Sequence, residues 1–391
     1  SSLKYWFEPF YEGIENLKFC LNAFTHGLKV KTSTLKITKN PESLKYTSER
    51  HKEKLNKIYF DSGENSNLTA VLAFINENTE VERTVMSLRY NAKSVKVLLV
   101  DDCSTDNFDY ESVAKLYNCK YIKTPQRQGS VGGKHLGGMS VDTPYFCFFD
   151  AHMRVYKENW DVFAEELIKD RPKAIIASRT LYMANKFGMI ENEAQHRNDK
   201  EGISGCARMI MNGGFAFDPK WTEIFADKNP ENELSPVACV LGATYLMHKS
   251  WWEYIQGFKG LHVYGLEESY MSLKTWLLGG ECYLTKKWAV SHMYRDMNPA
   301  PVKGNIIDTN RYFLSKVFLD GEEQEKRINE LFNRIGAHEK NEVLKQFSEH
   351  EQECEEMREF IKQNQVKTLD WFFDNINAAV TDPNNKDDNP D

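Results

Sequence analysis

The sequence lacks long apolar runs and paired cysteines, and each absence excludes a class of protein. No uninterrupted apolar stretch approaches the roughly 20 residues that a membrane-spanning helix needs, and the mean hydropathy is -0.58. Residues 1–10 also lack the basic-then-apolar order of a secretory signal. The eight cysteines are scattered without a C-x-x-C pair, which excludes a zinc ribbon and a dithiol redox motif. We therefore expect a soluble, cytoplasmic chain with reduced thiols.

An excess of positive charge is also missing. The formal net charge is -7 and the pI is about 5.9, so overall charge does not favour binding to a polyanion such as duplex DNA. A nucleic-acid partner would need a local basic face. Residues 129–133 are rich in glycine but lack the Walker spacing, which excludes a P-loop.

The distribution of charge predicts accessory regions at both ends of the chain. Residues 1–60 carry 11 basic and 6 acidic side chains, whereas residues 305–391 carry 11 basic and 20 acidic side chains. An aromatic cluster near the start indicates an arm that docks on the main domain. The predicted divisions are an N-terminal accessory arm, an α/β domain, a helical region that caps this domain and a disordered tail, at residues 1–66, 67–304, 305–380 and 381–391.

The middle region alternates short apolar segments with helical ones, which is typical of βα units and of an α/β fold with a mainly parallel sheet. Strands are predicted at residues 68–75, 95–100, 119–123, 145–149, 174–178, 237–248 and 281–289. Helices are predicted at residues 81–90, 109–117, 130–141, 267–278 and around 339–363. Acidic residues recur where these strands end. Since ligands of open α/β sheets bind beyond the carboxyl ends of the strands, the pattern locates a site there.

One carboxylate and two imidazoles follow predicted strands. Asp150 and His152 come directly after one strand, and His292 follows another. A hard divalent ion such as Mn²⁺ accepts both ligand types and keeps positions open for phosphate oxygens. Arg295 lies three residues beyond His292, where its guanidinium could pair with a diphosphate. Each feature has an ordinary alternative, because a strand-end Asp often caps a turn and surface loops often carry His and Arg.

Six segments in a fixed order carry a family resemblance. They are Ala-Val-Leu-Ala-Phe-Ile-Asn-Glu, Leu-Leu-Val-Asp-Asp-Cys-Ser-Thr-Asp, Gln-Arg-Gln-Gly followed by Lys134, Phe-Phe-Asp-Ala-His, a stretch containing Tyr-Gly-Leu-Glu-Glu, and His-Met-Tyr-Arg, at residues 70–77, 98–106, 126–129, 148–152, 257–276 and 292–295. The order resembles nucleotide-sugar glycosyltransferases with the Rossmann-like GT-A fold. The Asp-x-His motif, in place of the commoner Asp-x-Asp, is most similar to the polypeptide N-acetylgalactosaminyltransferase branch.

The resemblance implies roles for individual residues. It implies that Asp150, His152 and His292 bind Mn²⁺ or Mg²⁺, and that Arg295 contacts the diphosphate of a donor, which is expected to be linked to UDP. The residues expected to contact the nucleoside or line the donor pocket are Ala73, Asp101 or Asp102, Arg127 and Lys134.

Two acidic residues begin a predicted helix near the same cleft. Glu267 or Glu268 could orient or deprotonate the acceptor hydroxyl of an inverting enzyme, as general-base catalysis requires. In the retaining branch resembled here, the same residue would hold the acceptor or the sugar. Carboxylates also cap helix N-termini routinely, so a structural role stays open.

The expected function is metal-dependent transfer of a sugar from a nucleotide diphosphate to an acceptor hydroxyl on a glycan, a polypeptide or a small molecule. Ala73, Gln128 and Tyr264 depart from the branch pattern, and residues 305–391 lack the repeated Gln-x-Trp pattern of that branch's C-terminal lectin domain, so mucin-type peptide glycosylation is not the first expectation. Two alternatives stay open. One is a transferase acting on hydroxylated nucleic-acid bases, which the net charge disfavours. The other is a non-catalytic GT-A module that binds sugar nucleotides or glycans.

Overall fold

The structure is a computed structural model, and it describes residues 61–183, 205–222, 233–242, 244–293, 301–302 and 304–378. Most of the predicted N-terminal arm, its docking on the main domain, and the predicted tail lie outside the described residues. The same holds for Arg295.

A nine-stranded sheet forms the centre of the described chain. The twelve strands of the described residues, of which β7, β8 and β10 lie outside this sheet, are β1 Leu68–Phe74, β2 Lys96–Asp101, β3 Lys120–Lys123, β4 Tyr145–Asp150, β5 Met153–Val155, β6 Ala174–Met183, β7 Cys206–Ile210, β8 Asp218–Thr222, β9 Leu234–Pro236, β10 Cys239–Val240, β11 Thr244–His248 and β12 Glu281–Met293. The order across the large sheet is β3-β2-β1-β4-β11-β6-β12-β5, with β9 pairing to β12. Strands β1 to β4, β6 and β12 run in one direction, and β5, β9 and β11 run in the other. The prediction of a mainly parallel sheet is confirmed.

The apolar sequences of the central strands follow from burial on both faces of the sheet. Val71 packs in the core on one side of β1, and Leu72 packs in the core on the other side, both without solvent exposure. Parallel strands covered on both faces have continuous apolar sequences rather than alternating ones. The register pairs Ala73 with Asp150 and Phe74 with Asp101, so the carboxyl ends of β1, β2 and β4 lie level at one edge.

Helices cover both faces of the sheet. They are α1 Thr79–Asn91, α2 Tyr110–Leu116, α3 Gly129–Ser140, α4 Trp160–Ile168, α5 Lys249–Tyr254, α6 Glu267–Leu277, α7 Gly304–Phe318, α8 Gly321–Ser348, α9 Glu351–Asn364 and α10 Leu369–Phe372, which continues as a π-helical turn over Phe373–Asn377. Helices α1, α2 and α4 pack on one face, and α3, α5 and α6 pack on the other with α7 to α10. None of the described helices is both long and apolar enough to span a bilayer.

The predicted strand over residues 237–248 is wrong as a single element. It divides at Gly242 into β10, which joins a second sheet of order β10-β7-β8, and β11, which lies between β4 and β6. Gly242 has a φ of +120°, where side chains other than hydrogen are strained, so the chain can turn there from one sheet to the other. Strands β5, β7, β8 and β9 were not predicted.

The predicted long helix over residues 339–363 is also divided. Helix α8 begins at Gly321, before the predicted start, and ends at Ser348, with a break at Gly336 (φ 84°, ψ 177°). Helix α9 begins at Glu351. Buried side chains of the C-terminal helices, including Phe313, Phe347 and Met357, belong to the same hydrophobic core as α6. These helices are therefore continuous with the α/β domain in packing.

Candidate active site

A cleft of about 680 Å³ lies beyond the carboxyl ends of β1 and β4. Its lining brings together predicted site residues from distant parts of the sequence: Ala73, Asp102, Arg127, Lys134, Asp150, His152, Glu267, Glu268 and His292. The edge of the sheet where the sequence located a site is thus the edge where the cleft lies.

Asp150, His152 and His292 converge in this cleft. His292 Nε2 lies 3.2 Å from Asp150 Oδ2 and 3.1 Å from His152 Nε2, and the candidate ligand atoms of the three residues all lie within 4.8 Å of one another. Antiparallel pairing of β12 with β5 places His292 opposite Met153, next to His152. One carboxylate oxygen and two imidazole nitrogens at this spacing fit a single divalent ion such as Mn²⁺.

Glu77 lies behind this group and was not predicted as a site residue. Its Oε1 lies 3.3 Å from His152 Nδ1, and the side chain is 7% exposed. A carboxylate in this position orients an imidazole so that its other nitrogen faces a metal. Asn76 and Asn78, on either side of Glu77, both have positive φ, and the Asn78 amide donates to Tyr110 Oη at 2.7 Å. The turn after β1 therefore aims Glu77 into the cleft; the Phe-Ile-Asn-Glu segment was the available signal.

Lys134 supplies a buried positive charge beside the same carboxylate. Its Nζ lies 3.6 Å from Asp150 Oδ1, and the Lys134 side chain is 8% exposed. Although burial works against the charged form, the carboxylates of Asp150, Glu267 and Glu268 raise the pKa of Lys134. Burial likewise opposes ionisation of Asp150, but Lys134, His292 and His152 lower its pKa below the ordinary value. Both groups are therefore charged at neutral pH.

Two acidic side chains begin α6 on the opposite wall. Glu267 Oε2 accepts a hydrogen bond from the Gly265 amide at 2.7 Å, and Glu268 Oε1 accepts one from Tyr245 Oη at 2.7 Å. Burial, together with the neighbouring Glu267 carboxylate, raises the pKa of Glu268 to about 7. A carboxyl group with this pKa can hold or release a proton near neutral pH, which suits it to contact a hydroxyl of a substrate.

The two predicted aspartates after β2 have different surroundings. Asp102 lines the cleft, and its carboxylate accepts hydrogen bonds from the amides of Gln128 and Gly129, each at 2.7 Å. Burial raises the pKa of Asp102 although these bonds act in the opposite direction. Asp101 is fully buried, is not among the residues that line the cleft, and accepts from Tyr121 Oη at 2.7 Å. Asp102 is therefore the aspartate of this pair that a nucleoside in the cleft could contact.

The remaining predicted donor residues lie around the same rim. The exposed side chain of Arg127 lines the cleft next to Asp102, and its Nη2 donates to the Pro301 carbonyl at 3.4 Å. Ala73 lies at the end of β1, where a Cβ added to Gly133 would come within 3.2 Å of the Ala73 Cβ. The small side chain of Ala73 thus allows α3 to approach the sheet at the cleft.

The far end of the cleft contains residues that sequence reasoning missed. Arg311 on α7 binds Asp218 on β8 with two hydrogen bonds of 2.7 and 2.6 Å, and it also donates to Asp308 at 2.5 Å. Trp221 lines this end with 46% of its surface exposed, and Ile307 of α7 lies opposite. Helix α7 therefore borders the cleft, as the predicted C-terminal cap would. These contacts join residues about 90 positions apart, so no local motif could have revealed them.

The fold and the arrangement of this cleft agree with one class of protein. Residues 69–219 match the model of the family described as Glycosyl transferase family 2. The structure is similar to a crystal structure of GalNAc-T7 with UDP, GalNAc and Mn2+, with a TM-score of 0.60 and 18% identity, covering 80% of this chain and 57% of that chain. The chain therefore has the GT-A fold that the sequence motifs implied.

Within this class, the chain resembles polypeptide N-acetylgalactosaminyltransferases. It is 21% identical over 333 residues to polypeptide N-acetylgalactosaminyltransferase 6 of Bos taurus, covering 81% of this chain and 51% of that protein. It is 23% identical over 332 residues to polypeptide N-acetylgalactosaminyltransferase 3 of Taeniopygia guttata, covering 80% of this chain and 51% of that protein. The chain thus spans about half the length of these curated relatives.

Proposed function

We propose that the chain transfers a sugar from a UDP-sugar to an acceptor hydroxyl and that a divalent ion, Mn²⁺ or Mg²⁺, is required. The observation that carries the proposal is the convergence of Asp150, His152 and His292 in a cleft at the strand ends of a GT-A domain. The match to the family 2 model supports the reaction class. The similarity to N-acetylgalactosaminyltransferases supports an N-acetylhexosamine as the first donor sugar to test.

One group of residues would bind the ion and the diphosphate of the donor. Asp150, His152 and His292 would hold the ion, which when bound acts as a Lewis acid and offsets the charge of the departing diphosphate. Lys134 adds a second positive charge 3.6 Å from Asp150. Arg295, outside the described residues, is proposed to pair with the diphosphate as well.

Other side chains would position the nucleoside and the sugar. Asp102 and Arg127, at one end of the cleft, are proposed to contact the nucleoside. Glu267 and Glu268 face Lys134 across the cleft, where they would hold hydroxyl groups of the sugar or the acceptor. The cleft walls exclude part of the bulk water that would otherwise hydrolyse the donor. An acceptor glycan, polypeptide or small molecule is proposed to enter past α7, and the cytoplasmic location expected from the sequence stays a prediction.

The proposal can be tested by measuring UDP binding with and without Mn²⁺. We expect Asp150→Ala and His292→Ala to weaken Mn²⁺-dependent UDP binding at least about tenfold, because each removes one of three ligands. His248→Ala is a matched control, since His248 is also half-buried but bonds to the Ile168 carbonyl away from the cleft. A panel of nucleotide-sugars would then be screened for Mn²⁺-dependent release of nucleotide diphosphate. Unchanged UDP binding in both ligand variants would contradict the metal assignment.

A further inference from the structure

The loop that precedes α6 is held by a single buried side chain from α7. Asn310 has no solvent exposure, and its Nδ2 lies within hydrogen-bond distance of the carbonyls of His262, Tyr264 and Gly265 at 2.8, 3.0 and 2.8 Å. Its Oδ1 accepts a hydrogen bond from the His262 amide at 2.8 Å. The donor and the acceptor of the Asn310 side-chain amide thus both bond to a segment about 45 residues earlier in the chain.

This loop has a backbone conformation that needs external support. Val263, Gly265 and Leu266 all have positive φ, at 23°, 95° and 66°. For residues with a Cβ such conformations are sparsely populated and cost of order 1–3 kcal/mol each, and they persist where the surroundings over-determine them. The opposite side of the loop is held by the Val131 amide, which donates to the Val263 carbonyl at 3.1 Å. The loop is therefore fixed between α3 and α7.

The same loop forms one wall of the cleft and leads into its acidic residues. Val263, Tyr264, Gly265 and Leu266 all line the cleft. The Gly265 amide donates to Glu267 Oε2 at 2.7 Å, so the position of Gly265 sets the position of that carboxylate. The metal-ligand candidates, by contrast, come from the ends of β4 and β12 on the other side.

We infer that Asn310 is a positioning residue: it fixes the cleft wall formed by residues 262–265 and thereby places Glu267, the first residue of α6, in the cleft that Lys134 also lines. The expected effect on sugar transfer rests on the proposed function. The hydrogen bonds between Asn310 and residues 262–265, called the clamp below, can be tested without any substrate. Helix α7 is in this view a part of the site rather than a neighbour of it. The effect should fall on sugar transfer and leave the binding of UDP with Mn²⁺ intact.

Hydrogen exchange measures the clamp directly. In the unaltered chain, the His262 amide should exchange as slowly as amides within α7, because its acceptor is the buried Asn310 side chain. Exchange at the free-chain rate would overturn the inference without any variant. Asn310→Ala should raise exchange over residues 257–266 at least about tenfold, that is by about 1.4 kcal/mol or more, because the variant loses both the donor and the acceptor of the Asn310 amide.

Asn310→Leu separates hydrogen bonding from the filling of space. Leucine has nearly the branched shape of asparagine and no charge, but it has neither an N–H to donate to the carbonyls nor an acceptor for the His262 amide. If the hydrogen bonds matter, Asn310→Leu should loosen the loop about as much as Asn310→Ala. If Asn310 only fills space, Asn310→Leu should resemble the unaltered chain, and the inference is wrong. Thr309→Val is the matched control, since Thr309 is equally buried on α7 but bonds to Asn305 and Gln346 instead.

A comparison of binding with turnover completes the test. In Asn310→Leu, the dissociation constant for UDP with Mn²⁺ should stay within about threefold, while the rate of nucleotide diphosphate release over the nucleotide-sugar panel should fall at least about tenfold. Equal rates in the variant and the unaltered chain would overturn the positioning role. If the unaltered chain releases nothing from any donor, the proposed function fails, and hydrogen exchange alone decides whether the clamp exists.

Discussion

Replacing Lys134 with methionine tests whether one buried cation stabilises the carboxylates of the cleft. Methionine keeps an unbranched chain of similar length but removes the charge. Three acidic side chains, Asp150, Glu267 and Glu268, raise the pKa of Lys134 by their charge. At 3.6 Å, the pair of Lys134 and Asp150 has a Coulomb energy of about 5 kcal/mol at an effective dielectric constant of about 20.

The expected loss in free energy of unfolding is smaller than this Coulomb energy because removal of the ammonium also removes its desolvation cost. Breaking a fully buried pair by deleting one partner costs about 3–5 kcal/mol; because the Asp150 side chain keeps 25% exposure, we expect Lys134→Met to fall at the low end, about 3 kcal/mol. Urea denaturation of the metal-free chain at neutral pH would measure it. At the low end, this is still a large part of the stability of a typical domain.

A surface pair provides the matched control. Lys96 Nζ lies only 3.0 Å from Asp142 Oδ1, closer than in the buried pair, but these side chains are 29% and 64% exposed. Exposed pairs contribute about 0–1 kcal/mol, so Lys96→Met should cost no more than that. If the two variants lost equal stability, burial would not be the reason for the strength of the Lys134 pair, and the electrostatic account of the cleft would be refuted.

Two further predictions concern acid stability and nucleotide choice. Burial, and next the charge of His350, lower the pKa of His262 from 6.5 to about 4. Because the unfolded chain binds this proton more readily, the contribution of His262 is fully present above pH 6.5 and is lost as the pH falls towards 4, by about 3 kcal/mol at 1.4 kcal/mol per unit. His262→Leu should flatten this part of the stability curve, and an unchanged slope in urea titrations would contradict the assignment. If Asp102 accepts a hydrogen bond from a uracil N–H, UDP should bind more tightly than GDP by about 1–3 kcal/mol; competition binding with equal affinities would argue against that role.

The sequence predicted the parts of this molecule that local patterns encode. The apolar segments of β1, β2 and β4, and the acidic residues after them, located the cleft, because burial on both faces and a common carboxyl edge follow from strand sequence alone. The placement of Asp150, His152 and His292 together in one cleft also followed from this logic. Their roles as ligands stay predictions.

Features that depend on contacts between distant segments were missed. Gly242 divides one apolar run between two sheets; the glycine itself could have marked a break, but the second sheet also needs β7 and β8 from elsewhere in the chain. Glu77 acquires its place only because the turn before α1 lies beside His152, and Asn310 looked like an ordinary helical residue. In each case the decisive neighbour lies many residues away, and periodicity reports only on the residue's own element.

The shared core of α6 and the C-terminal helices has a consequence for the order of folding during synthesis. The side of the cleft made by β1, β2 and α3 can form once synthesis has passed Ser140, whereas His292 and Asn310 arrive much later. A growing chain that ends before α7 has this side of the cleft without α7, and the apolar faces of α5 and α6 are still uncovered. Such intermediates expose surface that favours aggregation. The interval in which the emerging chain needs protection from other chains therefore extends until α7 to α10 have formed, long after β1 to β4 could first pair.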